Sequence, residues 1–141
     1  MDCLTKKSLT VSRGHTYTYY THPGPNAGAD NPKPTLVLCH GWPDTAALYA
    51  GLLPSLLDLG HPLPLPDGLG FGGTSKPTDE GEYALMDMAG DVWEVLEAEG
   101  VERVVVGGHD WVSRVLSVLG LCVRSTFGTP IEPCLKVTWQ L

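Results

Sequence analysis

A chain of 141 residues, 43% of them apolar, is sized for one domain and has enough apolar side chains for a packed core. A formal charge of −7 and a pI near 5.0 exclude the basic face that a nucleic acid or an anionic membrane surface would need. Cys3, Cys39, Cys122 and Cys134 form no C-x-x-C pair, so neither a zinc site nor a dithiol redox motif is expected. The opening MDCLTKKSLTVSRG has no apolar core of the kind a secretory signal needs, and the longest apolar run, 115–123, is too short to span a bilayer. These features predict reduced thiols in a cytoplasmic protein without a membrane span. No feature sets an oligomeric state.

In chain order, residues 8–22 (SLTVSRGHTYTYYTH) hold two β-rich runs around Arg13-Gly14 and predict a hairpin. Residues 22–34 read as a polar Pro/Gly loop. TLVLCHG (35–41) is continuously apolar, the pattern of a strand covered on both faces. Asp44 or Thr45 can cap a helix over 45–59, ended by Gly60 and kinked or split at Pro54. Residues 61–73 should hold another element, but prolines at 62, 64 and 66 argue against a central strand, which would lose ladder donors there. Residues 83–100 are the clearest helix: Leu85, Met88, Val92, Val95 and Leu96 follow the 3.6-residue period and Gly100 stops it. VERVVVGG (101–108) predicts a second buried strand. A hairpin followed by strand–helix units predicts an α/β fold with a mostly parallel sheet. Residues 121–141 keep no sustained period and read as irregular.

Three stretches carry chemistry. In Gly108-His109-Asp110-Trp111 a carboxylate sits two residues after a glycine at a strand-to-helix junction, the pattern of a nucleophile elbow. Such a turn presents the side chain at the carboxyl end of its strand, facing a helix N-terminus that favours an anion. Taken alone, Asp110 is better read as a helix N-cap than as a nucleophile, and the two stretches below change that balance. HGWPD (40–44) follows the first buried strand, and its plain reading is a turn with Pro43 opening a helix. PDGLGFGGTSKP (66–77) is a glycine-rich loop. Gly68, Gly70 and Gly73 match G-x-G-x-x-G, yet prolines precede the motif and TSKP follows, so a dinucleotide site is rejected. No G-x-S-x-G occurs, which disfavours a serine esterase, and Ser113 reads as an ordinary helix residue.

His40-Gly41-Trp42-Pro43, then Asp67, Gly70, Gly72 and Thr74-Ser75, then Gly108-His109-Asp110-Trp111, together resemble the epoxide hydrolase branch of the α/β-hydrolase fold. SLTVSRGHTYTYY resembles the first hairpin of its fungal-type members, and the likeness covers residues 7 to about 116. The resemblance implies the N-terminal part of an α/β-hydrolase fold, a mostly parallel sheet preceded by a β-hairpin, with the lid and C-terminal part absent. Residues 1–120 would be a partial domain and 121–141 an aberrant tail, such as a translated intron or shifted frame.

The resemblance assigns Asp110 as nucleophile and the backbone amides of Trp42 and Trp111 as an oxyanion hole, supported by His40, Gly41, Pro43, Gly108 and His109. A carboxylate is already anionic at neutral pH and can open an epoxide at saturated carbon without a base. The partners implied are a small apolar epoxide and water, with no cofactor or metal. The family's lid tyrosines, its catalytic histidine and that histidine's acidic partner would follow residue 116, where the chain has neither histidine nor tyrosine. Turnover by this chain alone is therefore not expected. Two departures bear on the site: Val112 stands where a small residue is usual, at a cost on the order of 1–3 kcal/mol if the turn strains, and the prolines at 62, 64 and 66 fall on a family strand. The rival readings are a haloalkane or fluoroacetate-type dehalogenase, which uses the same ester chemistry, and a non-catalytic fragment.

Overall fold

A computed structural model describes residues 1–24, 33–101, 103–108 and 110. The predicted tail 121–141, the helix after Asp110 and the crowding at Val112 lie outside the described residues.

Strands β1 (Thr5–Thr10) and β2 (Thr16–His22) form the predicted hairpin, with Thr10 opposite Thr16. Its turn closes through Val11 N–H on the His15 carbonyl at 2.9 Å, and Gly14 takes the left-handed φ of +85° that the turn demands. β3 (Thr35–Cys39) is the predicted apolar strand. The next helical segment is split as Pro54 foretells: a 3-10 stretch (Ala46–Leu52) gives way to α1 (Leu53–Asp58), with the proline in the first turn where its missing N–H is harmless. Thr45 is the cap, its hydroxyl accepting Ala47 N–H at 3.3 Å. The long helix α2 (Leu85–Ala98) buries Met88, Val92, Val95 and Leu96 as the periodicity requires, and Gly100 follows it at a φ of +66°. β5 (Val104–Gly108) is the predicted second buried strand, beginning three residues late.

The proline-rich segment forms a strand, but one that ladders on a single side, as its missing donors require. Leu63–Pro66 is a strand, β4, paired antiparallel with β2, with Tyr20 opposite Leu65 and His22 opposite Leu63. Alternation explains how prolines fit. Asp67 N–H donates to the Thr18 carbonyl at 2.9 Å, so odd-numbered residues turn their N–H groups toward β2. Pro62, Pro64 and Pro66 therefore turn their missing donors toward the other side, where β3 lies. The Pro62 carbonyl still serves there, accepting Leu36 N–H at 2.8 Å. Among the described residues β3 and β4 form no ladder with each other, and the strands group as β1–β2–β4 and a parallel β3–β5 pair. The expected parallel character is thus carried by β3 and β5, while both ladders of β2 are antiparallel.

Side-chain alternation along β3 gives the layers. Val37 and Cys39 join Tyr17, Tyr19, Val106 and the buried stripe of α2 in one cluster. Leu36 and Leu38 pack from the other face with Ala46, Tyr49, Leu53, Leu63 and Leu65. Each fully buried leucine or valine is worth about 1.5–3 kcal/mol of transfer free energy. Among the described residues no helix is long and apolar enough to cross a membrane.

Polar side chains fasten the hairpin to α2. Arg13 reaches the buried Asp91 at 2.8 Å, and Tyr17 donates to the same carboxylate oxygen at 3.0 Å. Burial is the main force on Asp91 and lifts its carboxyl above the usual range, against the pull of Tyr17 and Arg13. Glu99 accepts from Lys7 at 2.9 Å and from Tyr19 at 2.7 Å. Burial works to raise this carboxyl, but the bonds from Lys7 and Tyr19 prevail and it titrates below its ordinary 4.5. A depressed carboxylate stabilises the fold above its unfolded value and loses that contribution as pH falls through the folded one. Glu99→Gln should therefore lower the melting temperature at pH 7, and the gap to the wild type should close as the pH falls below 4.5. Thermal melts of both proteins over that range measure it.

Candidate functional site

Parallel pairing of β3 with β5 sets Cys39 beside Gly108, so the segments leaving both carboxyl ends emerge side by side. Gly107 allows the close approach: a β-carbon there would sit 2.8 Å from a Leu38 methyl. Asp110 stands just beyond β5 at a φ of +64°, the one non-glycine residue in left-handed conformation among those described. Such a backbone costs about 1–2 kcal/mol for an L-residue and is the geometry expected of an elbow. Its carboxylate oxygen Oδ2 accepts the backbone N–H of Trp42 at 3.2 Å. Two residues 68 positions apart in the chain, paired from sequence motifs alone, meet here. The Trp42 side chain is exposed; its backbone is the part engaged.

The loop carrying Trp42 is held from behind. A turn closes it through Asp44 N–H on the Gly41 carbonyl at 3.1 Å, and the Trp42–Pro43 peptide is cis. His40 is buried, and both ring nitrogens are used: Nδ1 donates to the Gly41 carbonyl at 2.8 Å and Nε2 accepts Gly68 N–H at 2.8 Å. Its ring meets Phe71 edge-on, with centroids 5.4 Å apart. His40 is therefore a loop-holding residue, as its place in the motif suggested.

The glycine-rich loop has a structural task that sequence reasoning did not find. Asp67 is buried, and its two oxygens grip separate segments: Oδ1 accepts Ala46 N–H at 2.8 Å and Oδ2 accepts Gly73 N–H at 3.0 Å. Thr74 bridges to β2, donating to the Asp67 carbonyl at 2.8 Å and accepting Thr18 N–H at 3.0 Å. Ser75 takes Thr16 N–H at 2.9 Å, so it too ties the loop to β2. A clue was available, since an aspartate before four closely spaced glycines is a carboxylate surrounded by free amides.

The other candidate groups are occupied elsewhere. Cys39, at the end of β3, has its thiol pushed up to about 12 by burial, which keeps it protonated and unreactive at neutral pH. The hydroxyls of Tyr17, Tyr19, Tyr49 and Tyr83 donate to Asp91, Glu99, the Cys39 carbonyl and the Pro77 carbonyl. His15 pairs with Glu82, His22 with Gly24 N–H and His61 with the Pro34 carbonyl. Among the described residues no three His, Cys, Asp or Glu side chains gather closely enough to hold a metal. His109 and Trp111 lie outside the described residues, and Gly108 ends β5.

Residues 34–119 match the family described as alpha/beta hydrolase fold. The chain belongs to this family. Among curated relatives, this α/β hydrolase is similar to epoxide hydrolase srdG of Neurospora crassa, 34% identical over 111 residues, which span 77% of this chain and 32% of the relative. It is also similar to epoxide hydrolase A of Mycobacterium tuberculosis, 36% identical over 78 residues, which span 55% of this chain and 24% of the relative. Among solved structures, epoxide hydrolase A of Mycobacterium thermoresistibile superposes with a TM-score of 0.70 at 26% identity, covering 83% of this chain and 34% of that one. The α/β hydrolase described here thus spans about a third of the length of the N. crassa relative.

Proposed function

We propose that this α/β hydrolase supplies the nucleophilic half of an epoxide hydrolase site, with Asp110 as nucleophile and an apolar epoxide and water as substrates. The observation that supports this best is the Trp42 N–H on Asp110 Oδ2. That bond leaves Oδ1 to attack a ring carbon. The carbon–oxygen bond of the ring breaks, its electron pair goes to the epoxide oxygen, and that oxygen takes a proton from water. The product is an ester on Asp110 whose carbonyl oxygen is Oδ2, already placed against an amide. When water adds to that carbonyl, the negative charge develops on Oδ2. A donor waiting there lowers the barrier by about 3–4 kcal/mol. Trp111 N–H is proposed as the second donor.

The base that activates water and the acid that protonates the epoxide oxygen are not assigned among the described histidines and tyrosines; His15, His40, Tyr17 and Tyr49 hold hydrogen bonds to other groups. For the 141 residues alone the proposed reaction stops at the ester. A cytoplasmic setting belongs to the same reading, supported by the free thiols Cys3 and Cys39. Intact-mass spectrometry after incubation with an apolar terminal epoxide should show one added equivalent that persists. Release of halide from a haloalkane or fluoroacetate, with no epoxide adduct, would favour the dehalogenase reading. No adduct with either class would favour a non-catalytic fragment.

A further inference from the structure

We infer that His40 is a positioning residue for the oxyanion donor, acting through the Gly41–Trp42 peptide. The inference rests on the reading of Trp42 N–H as that donor. A trans peptide is planar, with its C=O and N–H pointing in opposite directions. Whatever holds the Gly41 carbonyl therefore aims the Trp42 N–H. Glycine on the preceding side leaves that plane free to rotate, since no side chain restricts its backbone. The aim must come from outside, and two donors supply it: His40 Nδ1–H at 2.8 Å and the turn amide of Asp44 at 3.1 Å.

The turn amide belongs to the same short loop and moves with it. His40 does not, because its other nitrogen is anchored on Gly68 N–H at 2.8 Å and its ring lies buried against Phe71. Gly68 adjoins Asp67, which grips both Ala46 and Gly73. The imidazole is a rigid strut between the glycine-rich loop and one peptide plane. The two nitrogens have opposite roles, since Nε2 accepts and Nδ1 donates. Their separate contributions can be dissected.

In His40→Asn the shorter amide can place a donor where Nδ1 was but cannot reach Gly68. In His40→Gln the longer amide can accept from Gly68 but leaves the Gly41 carbonyl to the turn alone. Both variants lose one buried bond, so both should melt at similarly reduced temperatures. Labelling tryptophan with ¹⁵N gives four backbone amide signals from the four tryptophans, and Trp42→Phe identifies the one required. Positioning predicts that the Trp42 amide exchanges about 10-fold faster in His40→Gln and within about 3-fold of wild type in His40→Asn.

The Asp110 ester gives a second readout that needs no catalytic base. Cleavage by hydroxylamine passes through the same oxyanion, so it should slow by about 10-fold in the Gln variant and little in the Asn variant, against about 10²–10³ for complete loss of such a donor. If both variants change together in step with their melting temperatures, or the Gln variant behaves as wild type, the positioning role is wrong. Failure of the wild type to form any ester would overturn the proposed function, while the exchange comparison would still decide the role of His40.

Discussion

Asp110→Asn should leave the protein folded and lower the rate of covalent labelling by an epoxide more than about 10³-fold, the scale on which losing a nucleophile acts. Asparagine has the same shape, tolerates left-handed backbone and can still accept the Trp42 N–H through its amide oxygen. Geometry is thus preserved while the charge needed for attack on saturated carbon is removed. Asp110→Gly should also abolish labelling but raise stability by about 1 kcal/mol, because glycine adopts the observed φ of +64° without strain. Loss of reactivity with gain of stability is the signature of a strained residue kept for chemistry. An aspartate kept as a helix cap would show the reverse: its glycine variant would be less stable, and labelling would be absent in the wild type as well.

Gly72→Ala should be among the most damaging single-methyl changes in the molecule, costing at least about 3 kcal/mol. A β-carbon there would sit 2.0 Å from Asp67 Oδ2, and Gly72 has a φ of +48°. Asp67 cannot retreat, since its oxygens hold Ala46 N–H and Gly73 N–H inside a buried site. The variant must break a charge-assisted bond or unseat the start of the helical segment behind the Trp42 loop. Circular-dichroism melts should show a fall on the order of 10 °C or more. Gly90→Ala is the control: it lies within α2, with nothing within 4 Å of an added β-carbon, and should stabilise by roughly 0.5–1 kcal/mol. If both variants melt like the wild type, the glycine-rich loop is not the rigid support described.

Much of this arrangement was legible in the chain. The period in α2 and the apolar run of β3 bury what their spacing says they should, while β5 buries Val106 and leaves Val104 and Val105 half-buried. The meeting of Trp42 with Asp110 followed from two short motifs, because parallel strands of a sheet bring their carboxyl ends together. What escaped the sequence depended on direction and partners. Prolines forbid donation, but a list of residues does not say which side of β4 needs donors; only pairing with β2 reveals that the prolines face the side with fewer bonds to make. Asp91 sits on the apolar face of α2, against the helical pattern, because Arg13 and Tyr17 from the hairpin supply its partners. Asp67 and His40 read as motif letters until their hydrogen bonds showed each joining two segments distant in sequence.

Peptide mapping of epoxide-labelled protein tests the central claim most directly. Exposed thiols such as Cys3 can also react with an epoxide, so the site of the added mass carries more weight than its presence. The label is predicted on Asp110, as an ester that hydroxylamine removes. Label found only on thiols, with Asp110 unmodified in folded protein, would contradict the assignment.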